Sequence, residues 1–237
     1  VAYKLIVVAG DSNAVGYGPT DYTPGPVGGV YIFGGTYWGG YVPGVNSGTT
    51  NLPAAWGPEY EIANRFHAEN PDDVLLIVKS AKGSTPLAAD PNVLDWSVAS
   101  QGEMFDLTTA KIDAARAEFA RIFGEAPEVS AVFFVSGPND SYDLARADAY
   151  EHGLTNLFTA IRAEWMHDEN GYIGFNRMTE AGPYNQTVRV AQWSVDQADA
   201  NAESFKTIGF GMQADGIHYD TAGRVALGDA FYNNWIA

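Results

Sequence analysis

Tyr3 to Ala9 (YKLIVVA) is a short, largely β-branched and almost unbroken apolar run, and it ends abruptly at Gly10-Asp11-Ser12-Asn13. A strand with one wet face alternates apolar with polar residues, whereas a strand covered on both faces does not. This run therefore requires packing layers above and below it. Asp73 to Lys79 (DVLLIVK) and Val129 to Val135 (VSAVFFV) repeat the pattern, each followed by a loop of small or polar residues. Thr187 to Gln192 and Phe205 to Phe210 are weaker candidates for later strands.

Helical spacing fills the intervals. Tyr60, Ile62, Ala63 and Phe66 share one stripe within Pro58 to Glu69, stopped by Asn70-Pro71. Phe105, Thr108, Ile112, Ala115, Phe119 and Ile122 recur at three- and four-residue steps up to Gly124, and Tyr150, Leu154, Leu157, Phe158, Ile161 and Trp165 do the same. Thr221 to Trp235 predicts a closing helix. Strands alternating with helices specify an α/β fold with a mostly parallel sheet covered on both sides.

Gly16 to Gly57 breaks this rhythm. The segment is rich in Gly, Pro, Tyr, Thr and Trp and almost uncharged, which marks a long insertion after the first strand. Its Tyr31, Phe33, Tyr37, Trp38 and Tyr41 fit two roles: stacking surfaces for sugar rings, or the core of a small β excursion. No boundary or repeat divides the chain. Its 237 residues, 46% hydrophobic, suffice for one core, so residues 1–237 are read as a single domain.

Charge and cysteine content narrow the function. A formal net charge of −16 repels phosphate backbones, so nucleic acid is not an expected partner. With no cysteine, disulfides, thiolate catalysis and cysteine-ligated metals are excluded. No His pair has metal-ligand spacing, and no metal or other cofactor is expected. No run reaches the roughly 18 apolar residues of a membrane span. Val1 to Ala9 lacks a basic leader and a small-residue cleavage site, so it reads as a strand and not a signal peptide.

In open α/β sheets ligands bind beyond the carboxyl ends of the strands. Those loops hold Gly10-Asp11-Ser12-Asn13, Ser80-Ala81-Lys82-Gly83-Ser84-Thr85 and Gly137-Pro138-Asn139-Asp140, with Asp215-Gly216-Ile217-His218 before the last helix. Acyl transfer needs a hydroxyl nucleophile, a base, a carboxylate to hold the base, and donors for the oxyanion. Ser12, His218 and Asp215 supply the first three. The amides of Ser12 and Gly83 and the side chain of Asn139 supply the donors. Each block also has a plain reading: Ser12 as a helix cap, Gly-Asp-Ser-Asn as a turn, Asp-x-x-His as a cap beside a surface histidine. Their joint occurrence at strand ends favours chemistry. His67, His152, His167 and Lys82 are read as solvated.

These four blocks resemble those of the SGNH hydrolase superfamily. The resemblance implies Ser12 as nucleophile, Gly83 and Asn139 as oxyanion donors, Asp215 and His218 as triad partners, and a three-layer α/β/α sandwich with a flavodoxin-like sheet. Trp56-Gly57-Pro58-Glu59, Lys79 to Leu87, Asp95-Trp96, Val188 to Gln192 and Asp215 to Gly223 are similar to the sialate O-acetylesterase and carbohydrate esterase family six branch, which implies an acetylated carbohydrate substrate. The chain departs from that branch twice. Gly-Asp-Ser-Asn stands where Gly-Gln-Ser-Asn is usual, and Val135-Ser136-Gly137-Pro138 replaces a Trp-Gln-Gly-Glu block. The competing readings are a lipolytic or aryl esterase on simple short-chain esters and a catalytically silent carbohydrate-binding domain. A polysaccharide substrate would favour a secreted or periplasmic site of action.

Overall fold

The computed structural model describes residues 1–48, 52 and 54–236. Seven strands form one sheet: β1 (Tyr3–Gly10), β2 (Val30–Phe33), β3 (Trp38–Gly40), β4 (Val74–Ala81), β5 (Val129–Val135), β6 (Ile173–Arg177) and β7 (Ala202–Lys206). Their spatial order is β3-β2-β4-β1-β5-β6-β7, and only the β2–β3 pair is antiparallel. The five strands β4-β1-β5-β6-β7 have the flavodoxin order 2-1-3-4-5. The insertion extends this sheet past β4 by a hairpin, so it is partly a β excursion. Its positions 49–51 and 53 lie outside the described residues.

The strand alternation sorts the core into two halves. Leu5, Val7, Leu76, Val78, Val132 and Phe134 face α3 (Met104–Phe123), α4 (Leu144–Ala160) and α5 (Asn185–Ala198). Ile6, Val8, Leu75, Ile77, Ala131 and Phe133 face α2 (Glu59–Glu69) and α6 (Thr221–Ile236). Fully burying each Leu, Ile, Val or Phe contributes roughly 1.5–3 kcal/mol, which explains why β1 has no polar residue from Leu5 to Ala9. The result is the expected α/β/α sandwich.

Two expectations fail and one element was not foreseen. Residues 187–192 lie within α5 and not in a strand. Val188, Ala191, Gln192 and Val195 are its buried positions, a three- and four-residue spacing that the β-branched valines obscure. The strand anticipated at 205–210 is instead β7, Ala202–Lys206; residues beyond Lys206 form a turn closed by the Phe210 N–H on the Thr207 carbonyl. β6 was missed because Ile173–Arg177 (IGFNR) is short and carries Gly174 and Asn176. The helix expected to reach Trp165 continues past Ala160 as a π-helical turn, Ile161–Met166.

Between β1 and β5 the chain's direction of travel across the sheet reverses. From β1 it passes through α2 to β4 on one side, then through α3 over β1 to β5 on the other. Connections leave that point on opposite faces and open a crevice beyond the strands' carboxyl ends. Ser12, Gly83 and Asn139 follow β1, β4 and β5 and therefore meet there.

Candidate active site

Gly10 ends β1 with φ at +136°, and a Cβ there would lie 2.0 Å from the Val135 carbonyl oxygen. Only glycine fits that turn. The main chain then starts α1 (Ser12–Val15), whose cap is the Asp11 carboxylate accepting the Asn13 N–H at 2.8 Å. Ser12 is the first helical residue, 9% exposed, at the mouth of the crevice.

The Asp215 loop folds back on itself before α6. Asp215 Oδ1 accepts the N–H groups of Ile217 at 2.9 Å and His218 at 3.0 Å. An antiparallel bridge between Met212 and Tyr219 closes the loop, and the Gln213 N–H donates to the His218 carbonyl at 2.8 Å. Asn13 fastens this loop to α1, giving its Nδ2 to the Ile217 carbonyl and accepting the Tyr219 N–H, both at 3.1 Å.

This scaffold brings three side chains of the sequence analysis into one hydrogen-bonded row. Ser12 Oγ lies 2.9 Å from His218 Nε2, and His218 Nδ1 lies 2.7 Å from Asp215 Oδ2. The tautomer protonated on Nδ1 satisfies both contacts: it donates to Asp215 and leaves Nε2 to accept from Ser12. Desolvation pushes the Asp215 carboxyl up, but hydrogen bonds from the His218 ring and from the two main-chain N–H groups outweigh it and hold it at about 2. The Tyr17 ring packs against the imidazole, centroids 4.5 Å apart.

Gly83 sits beside Ser12. A Cβ built on it would lie 3.5 Å from the Ser12 Cβ, so glycine keeps this side of the serine open. The Lys82 N–H donates to the Gly10 carbonyl at 3.0 Å and anchors the loop to β1. Among the described residues, neither the Ser12 nor the Gly83 main-chain N–H is taken by another protein group. Asn139 completes the group: its Nδ2 is 3.5 Å from Asp11 Oδ2 and 3.4 Å from the Thr85 carbonyl.

The crevice widens into a cleft of about 840 Å³ between α3 and the insertion, lined by Ser12, Tyr17, Phe33, Lys82, Gly83 and Lys111 among others, with no carboxylate. Lys82 is exposed as expected. Of Tyr31, Phe33, Tyr37, Trp38 and Tyr41, Phe33 lines the cleft. Tyr41 is buried with its hydroxyl on Glu59 at 3.3 Å, Trp38 donates to the Ala115 carbonyl at 3.0 Å, and Tyr31 and Tyr37 are exposed elsewhere. His152 and His167 are exposed, whereas His67 is half-buried, its Nδ1 shut off from solvent without a partner, contrary to a solvated reading. No cluster of three or more His, Asp or Glu side chains suited to a metal occurs among the described residues, and no described helix is long and apolar enough to cross a membrane.

Sequence reasoning missed the brace beneath α1. Lys79 Nζ, buried, donates to the Val15 carbonyl at 3.0 Å and to Glu59 Oε1 at 2.8 Å. Glu59 Oε1 also accepts the Gly57 N–H at 2.9 Å. The signals were indirect: a lysine at the end of an apolar strand, a glutamate in the first turn of α2, and the place of both in the blocks that resemble the esterase branch. Asn13 was equally visible but unassigned.

No curated protein matches the sequence. Solved structures do. An Arabidopsis thaliana protein superposes with a TM-score of 0.82 at 19% identity, over 98% of this chain and 97% of its own. NanS superposes at 0.70 and 15% identity, over 99% and 97%. A carbohydrate acetylesterase from Xanthomonas citri superposes at 0.66 and 15% identity, over 97% of this chain and 54% of its own. These likenesses establish the fold. Residues 2–237 match the family described as carbohydrate esterase, sialic acid-specific acetylesterase, and the chain belongs to that family of carboxylic ester hydrolases.

Proposed function

We propose that this protein is a serine acetylesterase that removes acetyl groups from an acetylated carbohydrate, with Ser12, His218 and Asp215 as its catalytic triad. The observation that carries the reading is the unbroken row from Ser12 Oγ to His218 Nε2 at 2.9 Å and from His218 Nδ1 to Asp215 at 2.7 Å. A serine hydroxyl is a weak nucleophile at neutral pH, and a neutral imidazole within hydrogen-bond reach supplies what it lacks.

Ser12 Oγ attacks the acetyl carbonyl carbon while its proton passes to His218 Nε2. Asp215 holds the imidazole in the accepting tautomer and stabilises the imidazolium without taking the proton. The charge on the carbonyl oxygen is met by the N–H groups of Ser12 and Gly83 and by Asn139 Nδ2. Collapse breaks the bond to the sugar oxygen, which leaves with the proton from His218. Water, deprotonated by the same imidazole, then attacks the acetyl-serine; acetate departs and the Ser12 hydroxyl is restored.

A carbohydrate substrate is supported by the family and by a cleft that offers ammonium groups and hydroxyls to a polar ligand. The test is acetate release from acetylated xylan and acetylated sialic acid, with Ser12→Ala as control. Release by the wild type and none by the variant is expected. Cleavage of simple aryl esters only would move the assignment to an aryl esterase. Sugar binding with no ester cleaved would leave a silent binding domain.

A further inference from the structure

Asp11 has no part in the proton relay, yet its carboxylate is completely buried next to it. It stands at the position where the sequence departs from Gly-Gln-Ser-Asn. Its main-chain N–H donates to the Val135 carbonyl at 2.9 Å, fixing it between β1 and β5. Oδ1 accepts the Asn13 N–H at 2.8 Å. Oδ2 faces Asn139 Nδ2 at 3.5 Å, and the other acceptor within reach of that amide is the Thr85 carbonyl at 3.4 Å, on the opposite loop.

We propose that Asp11 is the positioning residue of the oxyanion hole: its carboxylate holds one N–H of the Asn139 amide, so that the other, which faces the Thr85 carbonyl in the structure, is the one that swings to a substrate carbonyl, and protonation of Asp11 releases the grip. The proposal rests on the reading of Asn139 as an oxyanion donor. Oδ1 is already committed to the Asn13 N–H, so a proton on Asp11 sits on Oδ2. That sets O–H against N–H across the 3.5 Å contact. Two opposed donors repel, and the amide is left with the Thr85 carbonyl alone to hold it.

The titratable groups facing Asp11 are Asp140 from the turn after β5, Tyr150 from α4 and Tyr219 from the loop before α6. No basic side chain bonds to it among the described residues. Burial raises the Asp11 carboxyl, the Asn13 N–H opposes that, and Asp140 adds to it, for a value of about 7. The change of state therefore falls near neutrality. Asp140 itself accepts the Leu87 and Ala88 N–H groups at 2.9–3.1 Å and is tied to the Gly83 loop, so it does not grip Asn139.

Asp11→Asn isolates the effect. Its carbonyl can keep the Asn13 N–H, and its NH2 then faces Asn139 at every pH, mimicking the protonated acid. Dividing wild-type kcat by variant kcat on 4-nitrophenyl acetate at each pH removes the pH effects common to both proteins. The ratio is expected to rise from near one at pH 6 to about tenfold at pH 8.5, a fraction of the loss from deleting an oxyanion donor, with KM unchanged. In an Asn139→Ala background Asp11→Asn should cost nothing further. A ratio independent of pH, a loss confined to KM, or additive losses would each overturn the proposal. An activity-free readout is the Asn139 side-chain amide resonance, expected to titrate near pH 7 in wild type; a signal that does not move refutes the grip. That measurement decides the matter even if Asp11→Asn fails to fold, or if no ester is cleaved and the esterase reading falls.

Discussion

The buried pair Glu59–Lys79 offers the sharpest test of how the site is supported. Glu59 is fully buried and Lys79 nearly so, 2.8 Å apart, beneath the helix that carries Ser12. Burial pushes the Lys79 ammonium below its ordinary range while the Glu59 carboxylate pulls it back. Glu59→Gln keeps the shape and the acceptor for the Gly57 N–H but removes the counter-charge. Breaking one side of a buried pair costs about 3–5 kcal/mol. The stranded lysine has an escape, however: it can lose its proton. From an ordinary lysine value that costs about 5 kcal/mol at pH 7 and about 2 kcal/mol at pH 9. The penalty of Glu59→Gln should therefore be about 3–5 kcal/mol at pH 7, a Tm drop of about 6–20 °C, and should shrink to about 2 kcal/mol at pH 9. Lys79→Met should cost a similar amount at pH 7, because it strands Glu59. The double variant should recover most of both losses, since an uncharged pair of similar volume carries no desolvation penalty. Urea unfolding of the four proteins at both pH values measures this. A double variant no more stable than either single, or a Glu59→Gln penalty that does not fall at pH 9, would refute the reasoning.

Ser12→Ala should fold normally and lose nearly all turnover; a fluorophosphonate probe should label wild type only, and labelling of the variant would place the nucleophile elsewhere. Asp215→Asn should lower kcat by about 10⁴-fold, because the amide favours the wrong imidazole tautomer. Because Asp215 titrates at about 2, its charge is lost only as pH falls from about 4 through 2, so the acid limb of the activity profile should not report it. Activity should fall by at least about tenfold from acetyl to butyryl esters if the acyl pocket is small; a flat profile would favour the aryl-ester reading. Asp11 and Asp140, raised to about 7 and about 6, bind protons more tightly when folded than when unfolded. The stability they contribute is fully present below about pH 4 and lost as pH rises to 7, by about 4 kcal/mol for Asp11 alone. Asp11→Asn should flatten the decline of Tm over that interval, and an unchanged slope would count against a raised Asp11.

Much of this architecture is legible because the interior strands carry redundant information. β1, β4 and β5 bury both faces, so each is a run of Val, Leu, Ile and Phe that suits nothing else, and α2, α3 and α6 show their stripes at helical spacing. The order of a buried parallel sheet then places the loops after those strands at one end, so Ser12, Gly83 and Asn139 could be gathered before any coordinates. β6 and α5 were misread because local propensity and tertiary role disagree there. Asn176 sits inside the sheet because its side chain accepts the Ser136 N–H at 3.2 Å, and Val188 and Val195 of α5 are buried on the helix face that packs in the core beside α4.

Periodicity and residue type are local properties, and they specify the type of layer, the ends of the central strands and the chemistry available at them. Which polar groups meet across long chain separations is set by the folded arrangement of the loops. Asn13 holds the His218 loop from 204 residues away, Lys79 reaches the Val15 carbonyl and Glu59, and Asp11 faces Asn139 across 128 residues. Such pairings depend on the angles at which loops leave the sheet, and hydrogen bonds act over about 3 Å; no local pattern records either.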